Sequence, residues 1–336
     1  MFSRREIIAK SLLASSAMVL PSGNAAAQNV IPQKASARVI IDNDFAGDPD
    51  GLIALAHQLL TPKTRTVLVT TTALDRRMKG FEPPPETAIL GRETARELIR
   101  RAGIRNAPPV IAGPEQLGLD TPPPSDAARA IVAEAMRNDT LPLFFTCGGP
   151  LTNLAAALHL EPRIAERMTV IWIGGGKYPT GGWEYNLYAD APAARFVIEP
   201  SRVPLWQVPQ NAYRQMQFSI AELADRVRTI SPFGAWLYSK FTSPPPFVDV
   251  GGAWPLGDSP LVLLSAISTE SSGYTDRPAQ RIQPDFSYGE PIPGRSVRVF
   301  DTLDARLTFE DFLSLMRLHA AAASTPAGHG SRQRRS

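Results

Sequence analysis

The chain has 336 residues, of which 43% are hydrophobic and 20% are charged, and its net charge at pH 7 is +3. This is the composition of a soluble globular protein, long enough for one large α/β domain or two smaller ones. Much of the basic excess lies at the two ends of the chain, so it gives no support for nucleic-acid binding. The single cysteine, Cys147, excludes an intrachain disulfide.

The first 27 residues have the pattern of an export signal. Arg4 and Arg5 precede an apolar run over residues 11–20, and three alanines follow at 25–27. The paired arginines resemble a twin-arginine signal, which predicts a periplasmic or secreted protein. The apolar run is too short for a permanent membrane anchor, so we expect no stable anchor after processing. An uncleaved anchor is the alternative.

An acidic loop follows the first apolar strand pattern of the remaining chain. Residues 38–41 read as a buried strand, and residues 52–60 read as an apolar-periodic helix. Four aspartates without any lysine or arginine among them lie between these two patterns: Asp42, Asp44, Asp48 and Asp50. Carboxylates crowded in this way repel one another unless a counter-charge is present, and hard oxygen ligands suit Ca²⁺ or Mg²⁺. The loop therefore predicts a divalent-cation site; the alternative is a surface turn with an aspartate helix cap.

Strand and helix patterns alternate through the rest of the chain. Further strands are predicted at 66–72, 109–112, 141–146, 168–173, 203–208 and 297–300. Helices are predicted at 86–102, 125–136, 148–159, 190–198, 219–229, 233–240, 258–267 and 308–319. This alternation predicts one α/β domain over residues 36–319 with a mostly parallel β-sheet covered on both faces. Residues 320–336 are predicted to form a disordered basic tail.

Three more polar segments follow predicted strands or open predicted helices. They lie at residues 147–153, 183–190 and 256–261. Together with the acidic loop, and in this order, they resemble the nucleoside hydrolases of the inosine–uridine type. The resemblance extends from Arg38 to His319, and it implies a single α/β domain that hydrolyses the N-glycosidic bond of nucleosides with a bound Ca²⁺.

The resemblance also implies roles for the acidic loop. Asp44 is similar to the family aspartate that ligates the metal and faces the attacking water, so it is the expected ligand and general base. Asp50 matches the first member of the family's aspartate pair, and it is expected to contact both metal and substrate. Gly51 stands where the second, metal-ligating member would be, and Asp48 is close enough in sequence to substitute for it. Asp42 is expected to orient the loop rather than to ligate the metal.

The remaining segments supply the other expected contacts. Gly148 resembles the position whose backbone carbonyl ligates calcium. Glu184 and Asn186 resemble the pair that hydrogen-bonds the ribose hydroxyls, and two residues at i and i+2 point to the same side of an extended segment. Asp258 resembles the distal metal ligand and also a substrate contact. Gly257 replaces a histidine that many family members carry as an acid for the leaving base.

The expected function is calcium-dependent hydrolysis of ribonucleosides to ribose and free base. The expected partner is a small-molecule nucleoside, and homo-oligomerisation is left open. Because the histidine acid is missing, we expect purine nucleosides to react better than uridine, with Tyr178, Trp183 and Trp254 as candidate stacking residues. Two alternatives remain: a periplasmic ribose- or nucleoside-binding protein on the same scaffold, motivated by Gly51 and Gly257, and a hydrolase of another riboside.

Overall fold

A computed structural model describes residues 31, 33–77, 79–243 and 251–324. The predicted export signal at residues 1–27 lies outside this part of the chain, as does the end of the predicted tail, residues 325–336. The described residues from Lys34 to Ser324 belong to one compact unit. Within the described residues, no helix is long and apolar enough to cross a membrane.

The core element is an eight-stranded sheet in the order β3-β2-β1-β4-β5-β6-β10-β9. All neighbouring strands are parallel except β9, which pairs antiparallel with β10. A separate antiparallel pair is formed by β7 and β8. The strands are β1 (Ala37–Asn43), β2 (Thr64–Thr71), β3 (Val110–Ala112), β4 (Leu143–Cys147), β5 (Thr169–Ile173), β6 (Leu205–Val208), β7 (Gln217–Ser219), β8 (Ala253–Pro255), β9 (Gly273–Ile282) and β10 (Tyr288–Thr302).

Helices connect these strands. They are α1 (Asp50–Leu60), α2 (Thr87–Arg101), α3 (Asp126–Met136), α4 (Thr152–Leu160), α5 (Tyr185–Ala189), α6 (Ala191–Ile198), α7 (Gln210–Tyr213), α8 (Ile220–Glu222), α9 (Pro232–Ser239), α10 (Pro260–Val262) and α11 (Ala305–Ser324). A 3₁₀-helix covers Pro162–Glu166, and α8 and α10 continue as π-helical turns over Leu223–Val227 and Leu263–Ile267.

The sheet is buried on both faces because its central strands are apolar at successive positions. In β1, Val39 and Ile41 belong to one hydrophobic cluster, whereas Ile40 belongs to another. Successive side chains of a strand point to opposite faces, so the two clusters lie on opposite sides of the sheet. Burial on both faces is typical of a parallel sheet covered by helices and confirms the predicted fold class.

Two of the predicted segments have a different structure. The last helix runs from Ala305 to Ser324, so residues 320–324 are helical where a disordered tail was predicted. They include four consecutive alanines, the residue with the highest intrinsic helix propensity. The segment from Tyr185 to Ala189 is a short helix, so the prediction that Glu184 and Asn186 lie on one extended segment is wrong.

The chain order places a functional site at one edge of this sheet. From β1 the chain proceeds outward to β2 and β3 on one side, and it later fills β4, β5 and β6 on the other. Open α/β sheets bind ligands beyond the carboxyl ends of the strands, where the strand order reverses in this way. The acidic loop follows β1, and residues 148–153 follow β4, so both segments lie at this switch point.

Candidate active site

A cavity of about 500 Å³ opens at the carboxyl ends of the central strands. All seven residues predicted to bind metal or substrate line it: Asp44, Asp48, Asp50, Gly148, Glu184, Asn186 and Asp258. They come from four separate segments of the chain, which the parallel sheet brings together at one edge. Asp42, predicted to orient the loop, lies beneath the cavity and is fully buried.

The four aspartates of the cavity are held mainly by hydrogen bonds from backbone and neutral side chains. Asp48 Oδ1 accepts from the indole Nε1 of Trp254 at 3.0 Å and from the Asp50 backbone N–H at 3.2 Å. Asp50 Oδ2 accepts from the Asp258 backbone N–H at 3.1 Å. None of the four forms an ion pair with another described residue. Their negative charge is therefore uncompensated by the part of the protein that the structure describes.

Burial and mutual repulsion disfavour ionisation of these carboxyl groups. Burial raises the pKa of Asp48 to about 6 and that of Asp258 to about 7. Burial, followed by the charge of Asp258, raises the pKa of both Asp44 and Asp50 well above the ordinary range. Four acids with raised pKa values around one cavity indicate a functional site rather than a solvated turn.

Asn43 connects the acidic loop to Asp258, and we call its two hydrogen bonds the Asn43 bridge. Its Nδ2 donates to Asp258 Oδ2 at 2.8 Å, and its Oδ1 accepts from the Asp44 backbone N–H at 2.8 Å. The side chain also fills the space beside two glycines. A Cβ atom at Gly51 would lie 2.8 Å from Asn43 Nδ2, and one at Gly148 would lie 2.4 Å from the same atom. The amide thus occupies the space beside position 51, where the family aspartate was expected.

Asp42 supports the loop from below. Thr70 Oγ1 donates to its Oδ1 at 2.6 Å, Thr72 Oγ1 donates to its Oδ2 at 3.2 Å, and Asn153 Nδ2 donates to Oδ1 at 2.8 Å. Burial raises the pKa of Asp42, although these hydrogen bonds oppose the shift. Cys147 is also buried here, with its sulfur 3.6 Å from Asp42. This geometry agrees with an orienting residue and provides no nucleophile.

Glu184 is the N-cap of α5, and its carboxylate is fully hydrogen-bonded. Oε2 accepts from the backbone N–H groups of Gly175 at 2.8 Å and Leu187 at 3.0 Å. Oε1 accepts from the Asn186 N–H at 3.1 Å and from the Tyr213 hydroxyl at 3.2 Å. A carboxylate offers about four lone-pair positions, so a sugar hydroxyl would compete with the Tyr213 hydroxyl for one of them.

Asn186 uses both of its side-chain N–H groups within the protein. Nδ2 donates to the carbonyl oxygen of Ile173 at 2.9 Å and to that of Gly148 at 3.2 Å. Its Oδ1 is the atom left for a ribose hydroxyl. The contact with Gly148 also fixes the direction of the carbonyl that was predicted to bind metal.

Tyr213 and Arg214 line the cavity and were not predicted from the sequence. A Cβ atom at Gly257 would lie 3.1 Å from Tyr213 Cδ2 and 3.3 Å from Asp50 Oδ2, so the tyrosine ring fills the space where a larger residue 257 would project. The Tyr213 pKa is raised by burial and by the charge of Glu184, and the positive charge of Arg214 opposes the shift. Of the predicted stacking residues, Trp183 and Trp254 line the cavity. Tyr178 does not; its hydroxyl donates to Gln280 instead.

The donors in the cavity fit a hard divalent cation by charge and atom type. Carboxylate and carbonyl oxygens are the ligands that Ca²⁺ prefers, and uncompensated negative charge favours a cation. As placed, however, no group of three or more His, Cys, Asp or Glu side chains in the described ranges is arranged to hold a metal ion. The ligand set inferred from the sequence therefore stays a prediction.

Comparisons with known proteins agree on one family. Residues 39–244 match the family described as inosine-uridine preferring nucleoside hydrolase. The pyrimidine-specific ribonucleoside hydrolase RihA of Salmonella paratyphi A is 27% identical over 217 residues, which cover 57% of this chain. The match spans 66% of the length of that relative, slightly under two thirds.

Solved structures share the fold. An inosine-uridine preferring nucleoside hydrolase from Bacillus anthracis has a TM-score of 0.62 at 17% identity, covering 84% of this chain and 99% of its own. An inosine-guanosine nucleoside hydrolase has a TM-score of 0.64 at 17% identity, again covering 84% and 99%. At this level of identity the likeness concerns the fold alone.

Proposed function

The chain belongs to the inosine-uridine preferring nucleoside hydrolase family, and from that premise we propose that it hydrolyses the N-glycosidic bond of ribonucleosides to ribose and free base. The observation that carries the proposal is the convergence of Asp44, Asp48, Asp50 and Asp258 with Glu184 in one cavity. Acids with perturbed pKa values grouped in one cavity are typical of catalytic sites, and binding without turnover is the alternative that release of free base would exclude.

Asp44 is the proposed general base. It lines the cavity, and its backbone N–H is fixed by Asn43 at 2.8 Å, which orients the start of the loop. In its ionised form it would take a proton from the attacking water as the glycosidic bond to the base lengthens. The sugar then develops oxocarbenium character, as in other glycoside hydrolyses. The neighbouring carboxylates favour that developing positive charge.

We assign the cation site to Ca²⁺, with Asp44, Asp48, Asp50, Asp258 and the Gly148 carbonyl as its ligands. When bound, Ca²⁺ would lower the pKa of a bound water and attract vicinal ribose hydroxyls. Within the chain, the Asn43 bridge orients Asp258, and Asn186 orients the Gly148 carbonyl. Asp50, Asn186 Oδ1 and the Tyr213–Glu184 pair are the proposed sugar contacts.

Purine nucleosides are the proposed preferred substrates. Trp183 is half-exposed and offers aromatic surface in the cavity, and a purine has the larger face for stacking. Trp254 is buried and donates to Asp48, so it is not a stacking residue. None of the described residues that line the cavity is a histidine, so no imidazole acid would protonate a leaving pyrimidine. The measurement is kcat/KM for inosine against uridine, and equal values would refute the preference. Gly257→His should be combined with Tyr213→Ala, since the tyrosine ring would obstruct a histidine there.

The hydrolysis itself is tested by release of free base from a nucleoside panel, using wild type, Asp44→Asn and Asp42→Asn. Loss of a general base typically lowers the rate by about 10²–10⁴-fold, so Asp44→Asn should nearly abolish turnover. Asp42→Asn should lower the melting temperature and reduce turnover less, because Asp42 contacts Thr70 and Asn153 rather than the cavity. Equal and small losses of turnover would contradict the assignment. Stripping calcium with a chelator should lower both activity and melting temperature.

A further inference from the structure

We infer that the cavity accepts a riboside that carries an anionic oxygen group, held by Arg214, either as a phosphate on the sugar or as a carboxylate on the leaving base. The inference rests on the proposed function and specifies its substrate class. It begins from the charge of the cavity wall. Arg214 is the sole lysine or arginine among the described residues that line the cavity, whose other charged members are five carboxylates.

Arg214 is not required to neutralise any of these carboxylates. Glu184, which contacts the neighbouring Tyr213, already accepts four hydrogen bonds, and three of them come from backbone N–H groups. Arg214 is exposed and forms no ion pair with any described residue. A guanidinium has five N–H donors, and the positive charge of Arg214 lies near the Tyr213 phenol. Its donors are available to a ligand.

The position of Arg214 suits a group attached to the bound sugar or base. Arg214 follows Tyr213 in the chain, and its positive charge acts on the Tyr213 phenol, whose hydroxyl donates to Glu184 at 3.2 Å. These residues therefore lead outward from Glu184 at the proposed sugar site, through the Tyr213 ring, to the Arg214 guanidinium. Gln210 and Gln217 also line the cavity, and their side-chain amides add N–H donors. Planar guanidinium and amide donors match the oxygens of phosphate or carboxylate, whereas a neutral ribose needs no cation.

The test measures equilibrium binding of four product fragments by calorimetry at fixed Ca²⁺: ribose, ribose 5-phosphate, uracil and orotate. Proteins are wild type, Arg214→Gln and the control Arg129→Gln, which alters an exposed arginine of α3 paired with Asp126. One anionic fragment should bind wild type about tenfold or more tightly than its neutral counterpart, as a charge-assisted hydrogen bond predicts. Arg214→Gln should remove this difference, and Arg129→Gln should retain it.

The identity of the favoured fragment distinguishes the two sources of the anion. Preference for ribose 5-phosphate indicates a phosphate on the sugar, and preference for orotate indicates a carboxylate on the base. The inference is overturned if neither anion is favoured, or if the preference persists in Arg214→Gln. Because fragment binding needs no turnover, an inactive protein with an Arg214-dependent preference would refute the proposed hydrolysis while supporting the anion site.

Discussion

The raised pKa values of Asp48 and Asp258 make the metal-free protein sensitive to pH. Their folded-state values of about 6 and about 7 exceed the unfolded value, which is near 3.9. The folded state therefore binds protons more tightly, and the stability that these groups contribute is full below about pH 4. It is lost as the pH rises through 6 and 7.

We accordingly expect the chelator-treated protein to have a larger free energy of unfolding at pH 5 than at pH 7.5, as measured by urea titration. Added Ca²⁺ should restore stability at pH 7.5, because a ligand that binds only the folded state stabilises it. The variant Asp48→Asn/Asp258→Asn is the control and should reduce the pH dependence, leaving the part that Asp44 and Asp50 contribute. A metal-free wild type that gains stability between pH 5 and 7.5 would contradict this account.

The contact between Asn43 and Gly51 gives a second prediction at the level of single residues. Replacing an exposed helical glycine by alanine normally stabilises a protein by about 1 kcal/mol. Gly51→Ala should instead destabilise this one, because the added Cβ would lie 2.8 Å from Asn43 Nδ2. In an Asn43→Ala background the same change should become neutral or stabilising.

A double-mutant cycle from thermal or urea unfolding measures this coupling directly. Gly91→Ala in α2 is the matched control, since its Cβ would meet neighbours no nearer than 3.4 Å. If Gly51→Ala has the same effect on stability with and without the Asn43 side chain, then the Asn43 bridge does not explain why position 51 is glycine.

Sequence reasoning found the acidic residues of the site and Asp42 beneath them, but it found neither Asn43 nor Tyr213. The charge pattern from Asp42 to Asp50 is local, so it is visible without any knowledge of the fold. Asn43 acts on Asp258, 215 residues away, and Tyr213 fills the space beside Gly257. Contacts of this kind depend on the packing of distant segments. In the sequence they were visible only as glycines at positions 51 and 257.

Among the secondary-structure elements, α5 combines structural and functional roles through its N-cap. Glu184→Ala would leave the N–H groups of Gly175, Asn186 and Leu187 without their partner. Each unsatisfied buried donor costs about 1–3 kcal/mol, so we expect a marked loss of stability. Glu184→Gln keeps an acceptor oxygen at the cap and should lose less.

The two variants separate these roles when both stability and ligand affinity are measured. We expect Glu184→Gln to remain folded by circular dichroism while it binds ribose more weakly than wild type. The expectation fails if Glu184→Ala and Glu184→Gln unfold at the same denaturant concentration. It also fails if ribose affinity is unchanged in Glu184→Gln.

Elements with local signals were predicted, and elements that depend on pairing were missed. The helix predicted at 125–136 begins at the Ser125 cap, whose hydroxyl accepts from the Ala128 N–H, and the one predicted at 219–229 begins at a capping box of Ser219 and Glu222. The antiparallel pair β9–β10 was largely missed. β10 contains Pro291, Pro293 and Gly294, which usually interrupt strands, and its full length is specified by pairing with β9 and β6.

At the scale of the whole molecule, the export signal remains a prediction from the sequence. We expect the full chain, expressed in a bacterium with a twin-arginine pathway, to reach the periplasm. Arg4→Lys/Arg5→Lys should retain it in the cytoplasm, because the paired arginines are the recognised feature. Cell fractionation measures the outcome, with Arg332→Lys/Arg334→Lys as the control. Equal export of wild type and Arg4→Lys/Arg5→Lys would exclude this route.

The Asn43 bridge also limits when the site can form during synthesis of the chain. Its two halves are separated by 215 residues, so a ribosome must make nearly the whole domain before Asp258 exists. At about 5–20 residues per second, synthesis of that interval takes on the order of 10–40 s. The complete set of proposed cation ligands therefore exists only after Asp258 has been synthesised.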